Sequence, residues 1–205
     1  MSSATTHIVD DDPAVRDSLQ WLLQSRGVPS RTWTSANEFL AFASRDLSGC
    51  LLLDVRMPGM SGIELFDRLR TLHCRLPVIF LTGHGDVPMA VQALKDGAFD
   101  FIEKPYDDNA LVDKVLAAIA QDTKRSVREN SILLLEQKLA QLTLREREVM
   151  QRILAGTLNK VIADELGIAM RTVEVHRSRI FEKMKVRSAV ELSQMLSLLG
   201  DNPEN

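Results

Sequence analysis

Short apolar runs alternate with longer, helix-like segments through residues 1–122. In the longer segments apolar residues recur every three or four positions, which is the spacing of one face of an α-helix. The runs at 50–54 and 77–82 are almost continuously apolar, as in strands covered on both faces. Five repeats of this pattern predict βα units on one doubly wound, five-stranded parallel sheet. The predicted strands are 6–10, 29–33, 50–54, 77–82 and 99–102, and the predicted helices are 13–26, 35–44, 61–71, 87–96 and 107–121.

The pattern changes after residue 122. Residues 123–142 contain neither Gly nor Pro, so this segment is predicted to be a helical linker. Its apolar residues Ile132, Leu135, Leu139 and Leu142 are spaced as in a coiled-coil seam, and a connector helix packed on its own domain explains that spacing equally well. From residue 143 the pattern is helical, at 143–155, 159–166, 170–185 and 188–199. The predicted division is an α/β domain over 1–122, a linker over 123–142 and a small all-α domain over 143–205.

Polar residues follow four of the predicted strands at their carboxyl ends. Asp10 and Asp11 close the first strand, Asp54 ends the third, Thr82 ends the fourth, and Lys104 follows the fifth. In a doubly wound sheet these ends meet at one edge, where ligands bind. Carboxylates that meet there repel one another and need a cation, and Mg²⁺ accepts oxygen ligands together with a substrate phosphate. An aspartate at such a site can attack a phosphoryl donor, while a hydroxyl and an ammonium group bind the phosphoryl oxygens.

Four motifs around these positions resemble a response-regulator receiver domain over residues 5–122. They are Val9-Asp10-Asp11, Leu53-Asp54-Val55-Arg56-Met57-Pro58-Gly59, Leu81-Thr82-Gly83-His84 and Glu103-Lys104-Pro105-Tyr106. The resemblance implies that Asp54 is the phosphoacceptor and that a partner histidine kinase supplies the phosphate. It also implies a Mg²⁺ (or Mn²⁺) site with Asp11, Asp54 and the backbone carbonyl of Arg56 as direct ligands and Asp10 acting through water.

The same resemblance assigns three residues to the conformational switch of the family. Thr82 and Lys104 match the switch hydroxyl and lysine of the family, and Phe101 matches its switch aromatic residue. In this family the bond between Lys104 and Pro105 is typically cis, although few X–Pro bonds in folded proteins are.

Two further expectations follow from the receiver resemblance. Arg56 and His84 each lie two residues after a key position, where large side chains are expected to shield the phosphate from water. An Arg56→Ala variant whose phosphate decays at the parental rate would contradict this. The family also implies that the phosphorylated chain dimerises through a face containing Val91, Lys95 and Phe101.

Charge is distributed unevenly along the chain, although the formal net charge is only −3. Residues 1–122 carry 11 Lys and Arg against 17 Asp and Glu, whereas 123–142 carry 4 against 2 and 143–205 carry 10 against 9. Residues 171–187 contain six basic and two acidic side chains. A basic stripe on a nearly neutral domain indicates a polyanionic partner, but a solvated helix with ordinary charges is the simpler explanation of the stripe alone.

The predicted helix that carries this stripe has a core face and an outward face. At 100° per residue, Val173, Ile180 and Met184 share one direction, while a chemically mixed set around Glu174 and Ser178 lies opposite. A helix with one packed face and a short polar face near its start is suited to the major groove of DNA.

The C-terminal residues resemble a LuxR-type helix-turn-helix over 140–200. The motifs are Leu142-Thr143, Glu146-Arg147-Glu148, Asn159-Lys160, Leu166-Gly167-Ile168, Arg171-Thr172-Val173-Glu174-Val175-His176-Arg177 and Lys183-Met184-Lys185-Val186. Together the two halves are similar to FixJ/NarL-class regulators, and the run at 83–90 resembles FixJ-like ones in particular. Met170 departs from the family, in which a small hydroxyl residue or Pro often caps this helix. The resemblance implies base contacts from Glu174, Val175 and Ser178, and phosphate contacts from Asn159, Lys160, Thr172, Arg177 and Arg179.

Composition narrows the classes of protein further. The chain has 205 residues, of which 45% are apolar and 26% charged, as in ordinary globular proteins. No run approaches the roughly 18 apolar residues of a membrane span. Cys50 and Cys74 show no zinc-binding spacing, and so few cysteines favour a cytoplasmic setting.

The predicted function is a DNA-binding transcriptional response regulator and not an enzyme. Its expected partners are a sensor histidine kinase, double-stranded promoter DNA, a second copy of the chain after phosphorylation, and RNA polymerase, with no membrane involved. A Mg²⁺-dependent phosphohydrolase would share the pocket chemistry, but no second carboxylate lies two residues after Asp54 to act as acid or base. A phosphorylation-gated module that binds protein or RNA is the other alternative, and a gel-shift assay with duplex DNA separates it.

Overall fold

A computed structural model describes residues 4–83 and 87–200 of the chain. The chain divides into two compact units, Met1–Ser126 and Val127–Asn205. Within the described ranges, no helix has both the length and the apolar character to cross a membrane.

The first unit is built on a five-stranded parallel sheet, as predicted. Its strands are β1 (Thr5–Val9), β2 (Ser30–Trp33), β3 (Gly49–Asp54), β4 (Val78–Thr82) and β5 (Asp100–Glu103). Their order is β2-β1-β3-β4-β5, so the central strand is β3, whose six residues are all buried. Successive residues of β3 face opposite sides of the sheet, with Leu51 and Leu53 in one apolar core and Leu52 in the other. This burial explains why its sequence is continuously apolar.

Helices cover both faces of the sheet, which confirms the doubly wound architecture. They are α1 (Pro13–Ser25), α2 (Ala36–Phe42), α3 (Gly62–Thr71), α4 (Val87–Lys95) and α5 (Asp108–Ala140). Local sequence fixes several of their starts. The Asp12 carboxylate accepts from the Ala14 amide before α1, and Ser61 and Glu64 form a reciprocal capping box at the start of α3. Gly27 and Gly97 adopt positive φ where α1 and α4 end, as their positions predicted.

Helix α5 is continuous from Asp108 to Ala140. The helix predicted for 107–121 and most of the predicted linker are therefore one element, because no Gly or Pro interrupts it. In the second unit Leu135 and Leu142 lie in the apolar core, with Leu139 packed against it. These contacts favour the connector helix that packs on its own domain over the coiled-coil seam.

Asp122 anchors α5 to the amino ends of the strands. Its fully buried carboxylate accepts hydrogen bonds from the Ser48 hydroxyl and the Gly49 amide, both at 2.9 Å. It also forms an ion pair with Arg125, which donates to the backbone carbonyl of Arg75. The beginnings of β3 and β4 are thereby tied to the same turn of α5.

The second unit is helical throughout, as predicted. Beyond the end of α5 it contains α6 (Leu144–Leu154), α7 (Asn159–Leu166), α8 (Met170–Met184) and α9 (Ala189–Gly200). Val173, Ile180 and Met184 are fully buried, which confirms the predicted core face of α8. The carboxylate of Glu146 is buried and accepts from the Lys183 ammonium at 2.6 Å, so that α6 is held against α8.

A buried histidine makes the stability of the first unit depend on pH. His7 lies in β1 among aromatic rings, and its Nδ1 accepts a hydrogen bond from the Trp33 indole at 3.2 Å. Burial, and secondarily the nearby Arg31 charge, lowers the pKa of His7 from 6.5 to about 4. The unfolded chain therefore takes up a proton at a higher pH than the folded chain does. Stability is complete above pH 6.5 and falls as the pH drops towards 4.

We expect this single group to cost the first unit roughly 3 kcal/mol of unfolding free energy between pH 6.5 and pH 4. A His7→Asn variant keeps an acceptor for Trp33 but does not titrate in this range. Urea unfolding followed by fluorescence isolates the first unit because both tryptophans, Trp21 and Trp33, lie in it. The loss should be smaller in the variant by about that amount, and parallel pH profiles for the two proteins would contradict the assignment.

Candidate functional site

The carboxyl ends of the strands bring two acids and a lysine into direct contact. The Lys104 ammonium, which follows β5, donates to Asp54 Oδ1 at 2.6 Å and to Asp10 Oδ2 at 3.0 Å. Asp10 and Asp54 are 2% and 8% exposed, respectively. The sequence predicted that a cation must lie between these acids. The Lys104 ammonium supplies part of that positive charge, because it bridges the two carboxylates.

The backbone holds both carboxylates in fixed orientations. Asp54 Oδ2 accepts from the Arg56 amide at 2.8 Å, and Asp10 Oδ1 accepts from the Asp12 amide at 2.9 Å. The Arg16 guanidinium, on the first helix, donates to the backbone carbonyl of Asp10 at 2.7 Å. Arg16 was not among the predicted site residues, since nothing in its sequence spacing distinguishes it from other helical arginines.

The Lys104 and Asp54 charges stabilise each other against the effect of burial. Burial lowers the pKa of Lys104, but its hydrogen bonds to Asp54 and Asp10 outweigh this and leave that pKa above its usual value. Burial raises the pKa of the Asp54 carboxyl, and the Lys104 hydrogen bond opposes that rise. The bond between Lys104 and Pro105 is cis, as the family resemblance implied.

Thr82 presents an unsatisfied hydroxyl at the end of β4. Its side chain is fully buried, and Oγ1 finds no hydrogen-bond partner among residues 4–83 and 87–200. Leaving a buried hydroxyl unpaired costs about 1–3 kcal/mol, so such groups are rare and indicate a missing partner. The Thr82 carbonyl accepts from the Lys104 amide at 2.7 Å, which places the two residues side by side.

The oxygens at this edge suit a partly hydrated Mg²⁺ ion. Asp11 is exposed directly after Asp10, and the carbonyl of Arg56 lies two residues after Asp54. Within the described ranges, no group of three or more His, Cys, Asp and Glu side chains is placed to enclose a metal by itself. Mg²⁺ usually takes only one or two carboxylates and completes its shell with water and phosphate oxygen, so an open set of hard oxygen donors fits it.

The remaining receiver positions lie around this edge and on the adjoining face. Arg56 is exposed, Phe101 is half-buried on β5, and Val91 and Lys95 are exposed on α4. His84, which we expected to shield the phosphate, lies outside the described residues.

The second unit presents a helix-turn-helix made of α7 and α8. Gly167 ends α7 in the left-handed conformation, and α8 begins three residues later without a side-chain cap. Met170, the position that departs from the family, is the first residue of α8, and Ala169 occupies the cap. The start of this helix is thus fixed by the turn rather than by a capping hydroxyl.

The predicted DNA contacts are distributed over both helices. Arg177 is half-buried with its guanidinium 5.4 Å from the Phe181 ring centroid, a contact in which its stem covers apolar surface. Asn159 is also half-buried. The other predicted contacts are exposed: Lys160, Thr172, Glu174, Val175, Ser178 and Arg179.

Not every basic side chain of the 171–187 stripe is available to a partner. Lys183 is held by the Glu146 carboxylate at 2.6 Å and by the Gln141 carbonyl at 3.1 Å. The Lys183 charge is therefore neutralised within the second unit. This reduces the positive charge that the stripe can offer to DNA.

Comparison with protein families gives a match to each unit. Residues 6–116 match the response regulator receiver domain, and residues 140–196 match the bacterial regulatory proteins of the luxR family. The C4-dicarboxylate transport transcriptional regulatory protein DctR of Rhodobacter capsulatus is 52% identical over 195 residues, which are 94% of this chain and 99% of DctR. The transcriptional regulatory protein FixJ of Azorhizobium caulinodans is 44% identical over 98% of this chain and 95% of its own length.

Solved structures of similar proteins cover both units. The response regulator StyR matches with a TM-score of 0.89 and 42% identity, over 96% of this chain and 99% of StyR. Full-length FixJ from B. japonicum matches with a TM-score of 0.60 and 40% identity, over 98% of each chain.

Proposed function

Because this chain belongs to the response regulators that join a receiver domain to a LuxR-type DNA-binding domain, we propose that phosphorylation of Asp54 controls its binding to promoter DNA. Its relatives are transcription regulators and not enzymes in the usual sense. The observation that carries the proposal is the Asp54–Lys104 contact of 2.6 Å beside the buried hydroxyl of Thr82, which has no hydrogen-bond partner among residues 4–83 and 87–200.

The side chains at this edge suit a phosphoryl transfer to Asp54. A carboxylate oxygen of Asp54 attacks the phosphorus of a phosphohistidine on the partner kinase, so that a P–O bond forms and the P–N bond breaks, leaving the histidine with the electron pair. Lys104 then has a phosphoryl oxygen to bind in place of the Asp54 oxygen, and another phosphoryl oxygen offers the Thr82 hydroxyl an acceptor. Phe101 on β5 is the proposed switch aromatic residue, which responds to this change at Thr82 and Lys104.

Mg²⁺ (or Mn²⁺) belongs to the same proposal. Asp11, Asp54 and the backbone carbonyl of Arg56 would hold the ion directly, and Asp10 would act through water. The bound ion supplies positive charge that offsets the repulsion between these acids and an incoming phosphoryl group. The oxygen donors and their limited number support this assignment.

Dimerisation is the proposed link between phosphate and DNA. A face that includes Val91, Lys95 and Phe101 would join two phosphorylated chains, and the exposure of the first two residues leaves them accessible. Two-fold symmetry then requires an operator with two related half-sites about one helical turn apart. RNA polymerase is the proposed partner at the promoter.

The DNA contacts proposed for α7 and α8 fall into two groups. Glu174, Val175 and Ser178 read base edges, and Glu174 can accept from the cytosine amino group. The phosphate contacts are Asn159, Lys160, Thr172, Arg177 and Arg179. We expect base readers to change which sequence is bound, while phosphate contacts change affinity for every sequence.

Arg179→Ala tests the phosphate assignment. We expect each lost contact to flatten the dependence of log affinity on log salt concentration by about 0.9, because one fewer counterion is released. Fluorescence anisotropy with a labelled duplex at several KCl concentrations measures this slope. Arg179→Lys, which keeps the charge, should retain the parental slope, and an unchanged slope in the alanine variant removes Arg179 from the contact set.

A further inference from the structure

Six helices of the described chain end in the same way, and one of these ends is unusual. In each, the first or second residue beyond the helix donates to the carbonyl three positions before it, and the residue after that donates to the carbonyl five positions before itself. The first of these two donors has a positive φ in all six cases. Four of these residues are Gly27, Gly97, Gly156 and Gly167, and the other two are His73 and Lys185.

Lys185 occupies a position that disfavours its side chain. Its φ of 59° and ψ of 44° lie in the left-handed region, where a β-carbon approaches the backbone. Glycine has no such penalty, and His is among the residues enriched there, which accounts for His73. Lysine has neither advantage, so its presence at the end of α8 calls for a reason outside the backbone.

The end of α8 does not need the Lys185 side chain for its own stability. The carbonyls of Phe181 and Glu182 accept from the Val186 and Lys185 amides, and the Met184 carbonyl accepts from the Lys138 ammonium at 3.3 Å. Lysine near a helix C-terminus otherwise interacts favourably with the free carbonyls, but here those of Phe181, Glu182 and Met184 already have partners.

The Lys185 ammonium is available to a partner. The side chain is exposed and has no hydrogen bond or ion pair within the described parts of the chain, unlike Lys183, which Glu146 neutralises. At 100° per residue Lys185 continues the row of Glu174 and Ser178, away from the buried face of α8. Arg187, also exposed, follows two residues later.

We propose that Lys185 binds a backbone phosphate of duplex DNA, at the end of the helix whose first turns read the bases. This inference rests on the proposed DNA-binding function and adds to it a contact outside the helix-turn-helix set given above. A flexible four-carbon stem and a compact charge suit a phosphate oxygen, and such a contact carries no sequence information. The unfavourable backbone conformation is retained because the side chain contributes to binding.

Three substitutions in the full-length chain separate this role from a structural one. Lys185→Gly removes the charge and relieves the backbone, Lys185→Gln removes only the charge, and Lys185→Arg retains both the charge and the left-handed conformation. The probe is a fluorescein-labelled 30-base-pair duplex of mixed sequence, titrated by anisotropy between about 50 and 200 mM KCl, the range in which phosphate contacts dominate. Hydrogen exchange of the α8 amides reports helix stability in the same proteins.

We expect Lys185→Gly and Lys185→Gln to flatten the salt slope by about 0.9 per lost contact, and Lys185→Arg to keep the parental slope. Only Lys185→Gly should raise protection of the α8 amides, by roughly five- to tenfold. Four equal slopes would overturn the proposal while leaving DNA binding intact. Reduced protection in Lys185→Gln with an unchanged slope would also overturn it, in favour of a role at the helix end. A parent protein that binds no duplex at any salt concentration would instead refute the DNA-binding function on which the proposal depends.

Discussion

Replacing Asp54 with asparagine is expected to abolish phosphate uptake completely. The amide keeps the size of the side chain, but its single oxygen can accept only one of the two present hydrogen bonds, from the Arg56 amide at 2.8 Å or from the Lys104 ammonium at 2.6 Å. It offers no carboxylate oxygen to attack phosphorus, so no acyl phosphate forms. The side-chain volume is thus preserved while the nucleophile is removed.

Intact mass spectrometry after incubation with Mg²⁺ and acetyl phosphate measures this loss. The parent should gain the mass of one phosphoryl group, and Asp54→Asn should gain none. Asp67→Asn is a suitable control because Asp67 is an exposed acid on α3 that forms an ion pair with Arg70, three residues later on the same helix. A phosphoryl group on the Asp54→Asn protein would place the acceptor elsewhere and contradict the proposed site.

The second large effect is expected from Gly62→Ala, at the start of α3. The Gly62 amide donates to the Val55 carbonyl at 3.0 Å, which draws the helix against the end of β3. A β-carbon at Gly62 would stand 2.1 Å from the carbonyl oxygen of Asp54. Since Asp54 ends the central, fully buried strand, neither backbone can yield without cost. We expect a loss of about 3 kcal/mol in unfolding free energy and slower phosphate uptake, because the displaced backbone carries the acceptor.

Gly59→Ala, in the loop just before α3, provides a matched comparison. Gly59 has a φ of +80°, but a β-carbon there meets nothing within 4 Å. Its cost should be about 1 kcal/mol, from the backbone conformation alone, with uptake at the parental rate. Urea unfolding monitored by tryptophan fluorescence gives both stabilities. Equal stabilities and equal uptake in the two variants would show that the close approach of Gly62 to Asp54 does not constrain the site.

Much of the receiver fold follows from local pattern, because its strands differ strongly from its helices in sequence. The buried strands β3 and β4 consist almost entirely of apolar residues, and no helical period competes with them. Once a doubly wound sheet is inferred, topology alone brings Asp10, Asp54 and Lys104 to one edge. Their proximity could therefore be predicted from the sequence, whereas the hydrogen bonds from Lys104 to both acids are found only in the structure.

Other features depend on contacts between distant residues and have no local signal. The hydrogen bond from the Ser48 hydroxyl to the Asp122 carboxylate joins residues 74 positions apart. The burial of Asp122 could not be predicted either, because an aspartate in a helix is ordinarily a surface residue. The charge of Lys183 counted towards the basic stripe, but the Glu146 carboxylate, 37 positions away, neutralises it. Charge counts and helical angles identify which way a side chain points, but not which partner it meets.

The central claim is that phosphate on Asp54 causes dimerisation and strengthens DNA binding. Sedimentation velocity of the full-length parent and of Asp54→Asn, in Mg²⁺ with and without acetyl phosphate and with a labelled duplex, tests both steps together. The parent should sediment as a dimer and hold more duplex only after phosphate uptake, whereas Asp54→Asn should remain a monomer of low affinity under all conditions. A fully phosphorylated parent that stays monomeric, with the duplex affinity of the unphosphorylated protein, would contradict the account.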